Sequence, residues 1–322
     1  MGEVLMPTAL SGDLAATGRG YRGERDYRLV RELLVASYPI TPFGLNWEVR
    51  RLDGWFWQHA DDDRARRGPC ADVRLWTLGD DRLVGAVFSE DGRGDAHLQV
   101  HPDHRGLETE MVAWAEANLA APADGGGLRL DVPALEDDEY RLDLLDRRGY
   151  RPVWNEMCRR MPLEPGSPPD RRPVEGYRIR GLRPGDAVDH QRVADVLNAG
   201  FGRSSHTAAW FATLTRSPAY RAELHLVAET PDGAFASFVG VTYDPENRRG
   251  IVEPVCTDPA HRRRGLAAAL LVEGIRRVAA LGAVEMILGT GDDPGTNAFY
   301  AGLGFTEAHR VLVRRRLFDG PS

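Results

Sequence analysis

The chain has 322 residues, long for one compact domain and comfortable for two, and its 42% hydrophobic and 28% charged content fits a soluble globular protein. A formal charge of −7 and a pI of about 5.8 speak against a nucleic-acid-binding surface, which needs a net basic face. Three scattered cysteines (Cys70, Cys158, Cys256) exclude a disulfide framework and predict a reducing cytoplasm, and no apolar run approaches the ~20 residues of a membrane span.

Residues 1–24 lack a basic start followed by an apolar stretch, so no secretory leader is expected, only a flexible segment and a first strand. The pattern then predicts a helix over 28–36, strands over 73–78, 83–88 and 96–100, a longer helix, a strand over 128–132, a short helix and a last strand over 153–160. The aromatic stretch WEVRRLDGWFW (47–57) reads as a helix packed on its own domain's sheet rather than as the wall of an acceptor pocket. PLEPGSPPDRRP, with five prolines, can be neither helix nor central strand, which makes 162–175 a linker.

Beyond the linker the same order returns. A helix over 187–201 precedes strands over 223–229, 235–243 and 250–257. A long helix follows with small or apolar residues at 267, 270, 271, 274, 275 and 278, the stripe of a core-facing helix. A strand over 284–290, a short helix and a strand over 310–317 complete it. Pro102 matches Pro259 at an offset of 157, and Gly149-Tyr150 matches Gly304-Phe305 at 155. One fold used twice is the expectation: an α/β (α+β) protein of two tandem domains, 25–161 and 176–318, each a mixed, mostly antiparallel sheet flanked by helices.

Chemistry concentrates in the second copy. Strand 251–257, the turn Asp258-Pro259 and the run HRRRGLA lead into a helix N-terminus, where unpaired N–H groups and a partial positive charge suit a pyrophosphate. Gly265 and Ala267 keep the backbone approachable there, and the arginines add charge-assisted hydrogen bonds. Pro254 cannot donate to a ladder, so within a strand it marks either a bulge or the strand's end. Glu253 puts a carboxylate, able to accept a proton, beside that proline. Tyr300 shares a helix face with Asn297. Cys256 reads as a small buried hydrophobe, and His206, with Arg203 and Trp210, carries no catalytic expectation.

The strand leading to Pro259, the Arg262-x-x-Gly265-x-Ala267 loop and Asn297-x-x-Tyr300 followed by Gly304-Phe305 together resemble the GNAT superfamily of acyl-CoA N-acyltransferases over most of 176–318. The resemblance implies acetyl-CoA as co-substrate and no metal. Its pyrophosphate would lie on Arg262, Arg263, Arg264, Gly265, Leu266 and Ala267, and its pantetheine arm along Val255, Cys256 and Thr257. Val255 N–H would polarise the thioester carbonyl, with Asn297 and Tyr300 also contacting the cofactor; Glu253 would be the general base, since acyl transfer to an amine needs the neutral amine, and Tyr300 the general acid for the departing thiolate. The implied activity is N-acetyl transfer to a primary amine of a small molecule or peptide, by direct attack in a ternary complex. The alternative is a non-catalytic CoA-binding sensor or scaffold. Neither nucleic acid nor membrane is an expected partner, and the chain would be a monomer or homodimer.

The first copy reads as degenerate. Aligned without gaps, Arg105 matches Arg262, but Glu108 and Glu110 replace Gly265 and Ala267; a gapped match keeps Gly106 but still sets Glu108 against Ala267. Either way a carboxylate stands where phosphate would bind. Leu142 and Leu145 replace Asn297 and Tyr300, so this copy is expected to shape the acceptor cleft or support its partner.

Overall fold

The computed structural model describes residues 15–41, 43–57, 70–79, 81–90, 92–163 and 174–319. Most of the expected linker and the first fourteen residues lie outside the described residues.

The first repeat opens with β1 (Thr17–Gly20) and α1 (Glu24–Ser37), whose Tyr27, Val30 and Leu34 line one helical face and are buried. After α2 (Val49–Trp57) come β2 (Val73–Leu78), β3 (Arg82–Phe88) and β4 (His97–Val100), then α3 (Glu108–Asn118), β5 (Ala121–Pro122), β6 (Leu128–Leu135), α4 (Glu139–Arg147) and β7 (Arg151–Pro162). The second repeat runs β8 (Arg178–Gly181), α5 (Ala187–Phe201), α6 (Ala208–Leu214), β9 (His225–Glu229), β10 (Phe235–Asp244), β11 (Arg249–Thr257), α7 (Leu266–Ala280), β12 (Glu285–Gly291), α8 (Pro294–Ala301) and β13 (Thr306–Phe318). Both repeats thus have the mixed, mostly antiparallel sheets with flanking helices read from the sequence.

The sheets, however, are shared between repeats. β1-β2-β3-β4 form a four-stranded sheet, while the other nine strands form one sheet in the order β5-β6-β13-β7-β12-β11-β10-β9-β8. The last strand of each repeat has changed places. β7 pairs antiparallel with β12 of the second repeat (Met286 opposite Met161), and β13 pairs antiparallel with β6 of the first (Val313 opposite Pro133). β7 and β13 then pair with each other, Val311 opposite Glu156. Each long strand thereby satisfies the backbone groups of both its edges, and on both edges its neighbour belongs to the other repeat.

Three main hydrophobic clusters result. One lies inside the first repeat around Trp76, Met111 and Tyr150, and one inside the second around Leu226, Leu270 and Phe305. The third crosses the boundary, with Tyr27, Leu34, Trp55 and Phe56 packed with Val193, Phe211 and Phe238. At about 1.5–3 kcal/mol per buried large side chain, this interface is a core in its own right. The reading of 47–57 as packing only within its own domain is corrected here: a row of aromatics specifies burial but not the partner. Asp53 of α2 makes the polar link, accepting from Tyr27 Oη at 2.6 Å and from the Ser217 hydroxyl of the second repeat.

Candidate active site

β11 is irregular at its middle. Val239 faces Val255 and Val241 faces Val252, so Glu253 and Pro254 together oppose Gly240 as a bulge, and the Glu253–Pro254 peptide is cis. A Cβ on Gly240 would come within 2.5 Å of the Glu253 carbonyl oxygen, so only glycine admits this approach. On its other edge β11 pairs in parallel with β12 only at Arg249, Gly250 and Ile251; beyond Ile251 the ladder stops although both strands continue. Asp258 N–H donates to the Ala236 carbonyl at 2.9 Å, and the alternation of an antiparallel ladder then turns the N–H groups of Val255 and Thr257 toward that open edge.

The loop after β11 leads straight to a bare helix end. Arg263 (φ 63°) and Gly265 (φ 78°) are both left-handed, and Gly265 precedes α7 with no side chain capping its first turn. A Cβ at Gly265 would meet nothing within 4 Å. Glycine is therefore favoured by its φ, and the space in front of it is open. Arg262 is held by its guanidinium, which donates to the Gly200 carbonyl at 2.8 Å and the Thr257 carbonyl at 3.2 Å; all three arginines, Arg262 to Arg264, are exposed. An uncapped helix start beside an unpaired strand edge fits a ligand with a diphosphate and a peptide-like arm. Leu266 is buried under this turn, and Ala267 is half-buried.

Tyr300 lies on α8, 7% exposed, against the rings of Phe299 and Phe305. Its hydroxyl has no hydrogen bond among the described residues, and burial pushes the phenol up to about 12, so it stays protonated and keeps an O–H to donate. Asn297 accepts from the Thr290 hydroxyl at 3.2 Å and donates to Asp292 at 3.3 Å, while Asp293 caps the helix. Cys256 is buried beside Gly200, its thiol pushed up to about 12 by burial, as suits a packing residue. His206 stacks edge-on with Trp210 and bonds Asn198, away from these groups. Among the described residues Glu253 has no ion pair: the nearby Arg249 pairs with Asp244 at 3.0 Å, and Arg248 donates to the Gly282 carbonyl.

Glu253 is exposed and lines a cavity of about 330 Å³ at the splay. Ile251, Val252 and Leu288 to Gly291 form one side. The rest comes from the first repeat: Phe43 to Glu48, Arg51, Glu90, His97 and Gln99, with Glu156 and Cys158 of the exchanged strand β7. Arg51 pairs with Glu90 (Nε to Oε1, 2.9 Å) and holds that carboxyl below the usual range, although burial opposes it. Glu48 behaves oppositely. Burial and the nearby Glu253 carboxylate raise it to about 7, against the Arg51 backbone N–H and side chain. Sequence reasoning missed Glu48, which looks like a polar residue opening a helix. Among the described residues, no group of three or more His, Cys, Asp or Glu side chains could hold a metal ion, and no helix is long and apolar enough to cross a membrane.

In the first repeat Leu107 occupies the position before α3 that Gly265 occupies before α7. Glu108, 0% exposed, sits at the helix start clamped by Arg105 and by Arg141 (Nε to Oε2, 2.9 Å), and Arg105 also reaches Asp138 at 2.7 Å. Glu110 accepts from Trp76 Nε1 at 2.9 Å. The carboxylate at this helix end is thus neutralised by the protein's own arginines. Removing it leaves Arg141, 3% exposed, without its main partner. Glu108→Ala is expected to cost about 3–5 kcal/mol, read as a lowered denaturant midpoint.

Comparison with known proteins bears on the family and the fold. The acetyltransferase (GNAT) family model matches residues 192–305. A mycothiol acetyltransferase of Kineococcus radiotolerans is 32% identical over 262 residues, covering 76% of this chain and 82% of its own length. Another from Acidimicrobium ferrooxidans is 29% identical over 214 residues, covering 62% and 67%. Among solved structures, a GCN5-related N-acetyltransferase from Sphaerobacter thermophilus superposes with a TM-score of 0.62 at 22% identity, over 95% of this chain and 97% of that one. A tandem GNAT protein from the clavulanic acid biosynthesis pathway gives 0.62 at 17% identity, over 96% and 100%.

Proposed function

The chain belongs to the GNAT acetyltransferases, in their tandem form, and from that premise we propose that its second repeat moves an acetyl group from acetyl-CoA to a primary amine of a small molecule, in a ternary complex. The observation that carries this reading is the coincidence, within one repeat, of the open β11 edge and the uncapped start of α7. Acetyl-CoA, when bound, supplies the thioester. Arg263 to Ala267 would offer N–H groups to its pyrophosphate, Val255 and Thr257 would pair with its arm, and Asn297 would contact that arm. Val255 N–H is the donor proposed for the thioester carbonyl.

The cavity favours a cationic acceptor. Glu253, Glu48 and Glu156 line it, and its two lining arginines, Arg51 and Arg141, are already paired with Glu90 and Glu108. Glu253 accepts a proton from the amine nitrogen, whose lone pair attacks the carbonyl carbon as the C–S bond breaks. Tyr300 gives its proton to the departing sulfur. Since its phenol stays protonated, it keeps an O–H available to hydrogen-bond the departing sulfur at every physiological pH. The relatives named as mycothiol acetyltransferases support a low-molecular-weight acceptor over a protein. The first repeat acts as support and as wall, with no cofactor of its own; the cytoplasm is its proposed location.

The test is thiol release from acetyl-CoA against a panel of aminoglycosides, polyamines, amino acids and peptides. Tyr300→Phe and Glu253→Gln should each lower kcat by ~10²-fold or more with CoA affinity retained. Turnover unchanged in both variants would leave a CoA-binding scaffold as the better reading.

A further inference from the structure

The first repeat contains the counterpart of the open gap, and its own chain fills it. β4 and β6 begin side by side, with Ala96 N–H donating to the Asp131 carbonyl at 2.8 Å and Asp131 N–H to the Gly94 carbonyl at 3.0 Å. Farther along, the side-chain amide of Asn46 takes the place of a strand. Its Nδ2 donates to the Val100 carbonyl at 3.0 Å and its Oδ1 accepts Val100 N–H at 2.9 Å. Trp47 N–H donates to Gln99 Oε1 at 2.7 Å. Gly44 lies so close to Leu135 of β6 that a Cβ there would come within 2.9 Å of it. Residues 44–47 are therefore pinned across the groove that the second repeat leaves open. The next residue is Glu48, whose Oε2 accepts Arg51 N–H at 2.8 Å, and which lines the cavity together with Glu253.

We propose that Glu48, delivered by the plugged groove of the first repeat, is a second proton acceptor for the amine, working across the cavity from Glu253. The inference rests on the acyl-transfer reading above and adds a residue to it. An ammonium nitrogen sheds two protons on the way to an amide, one before its lone pair can form the N–C bond and one afterwards. Sulfur takes back a single proton, from Tyr300, which is reloaded from solvent, so one proton is released per turnover. Two carboxylates give each nitrogen proton an acceptor. The first belongs to Glu48. Its second oxygen has no hydrogen bond among the described residues, and a carboxyl titrating near 7 is a stronger base than an ordinary one. Glu253 takes the second. The groups facing Glu48 are Arg50 and Arg51 on α2, Glu253 on β11, Glu156 and Cys158 on β7, His97 on β4, Arg141 on α4 and Glu90 after β3. Of these, Glu253 holds the proton on Glu48, while Arg50 and Arg51 loosen it. Below pH 7 Glu48 is protonated and cannot accept, so kcat/KM should climb as pH rises through about 7.

The test is kinetics of the full chain with acetyl-CoA and the best amine of the panel. Glu48→Gln should lower kcat by ~10²-fold and remove the limb near pH 7, with CoA affinity unchanged by calorimetry; Glu48→Asp should restore part of the rate and shift the limb. A Gln variant that keeps the wild-type rate, or a slower one that keeps the limb, overturns the proposal while leaving acyl transfer intact. No thiol release from the wild type with any amine overturns both.

Discussion

Gly265→Glu is expected to abolish acetyl-CoA binding, with at least ~100-fold weaker affinity, which corresponds to about 2.7 kcal/mol. Two effects add. The residue has φ 78°, a conformation that costs a side chain about 1–2 kcal/mol. A carboxylate there would also face the diphosphate at the end of α7. Each like-charge contact at ~4 Å costs about 1 kcal/mol in water and more where water is partly excluded. Gly265→Ala separates the terms, because it keeps the backbone cost and omits the charge; it should lose affinity by about tenfold. Calorimetry on the folded variants reads both. The melting temperature should move little, since the position is exposed and a Cβ there meets nothing.

A chain ending after Phe305 is expected to lose both repeats together, rather than only the second. β13 fills the space between β6 and β7, and without it two strand edges open in the middle of the nine-stranded sheet. The buried side chains of Val311 and Val313 go with it. Against a total stability of about 5–15 kcal/mol, losing a thirteen-residue strand paired on both sides leaves no margin. Far-UV circular dichroism and proteolysis should show unfolding of residues 15–163 as well. For the same reason, fragments 1–163 and 174–322 should each be unfolded alone and regain structure and CoA binding when mixed. A stably folded, protease-resistant 1–163 fragment would contradict this.

The local reading succeeded where the signal was local. Ala187–Phe201 was legible because its apolar spacing, Asp186 cap and following Gly202 agree. The turn into α7 was legible because Gly265 marks a left-handed residue at a helix start. The bulge at Pro254 was one of two readings, and the choice between them lay in Gly240 on another strand. What escaped was which partner each element meets. The alternation in β7 and β13 specifies strands, but an edge pairs equally well with either repeat, and only the three-dimensional register decides. Trp55 and Phe56 announced burial without saying that Val193 and Phe238 would cover them. Glu48 looked like a helix cap, which it is, and its second role depends on Glu253, 205 residues away in the chain.

The exchange of β7 and β13 also constrains how an acceptor reaches Glu253. Two domains joined by a tether normally swing apart, and a cleft between them opens by hinging. Here a hinge would have to tear hydrogen-bonded ladders on either side of both strands. The walls of the pocket are therefore fixed relative to each other. Admission and departure of small molecules then fall to side-chain rotations at the rim, so turnover should be insensitive to solvent viscosity compared with enzymes that clamp shut.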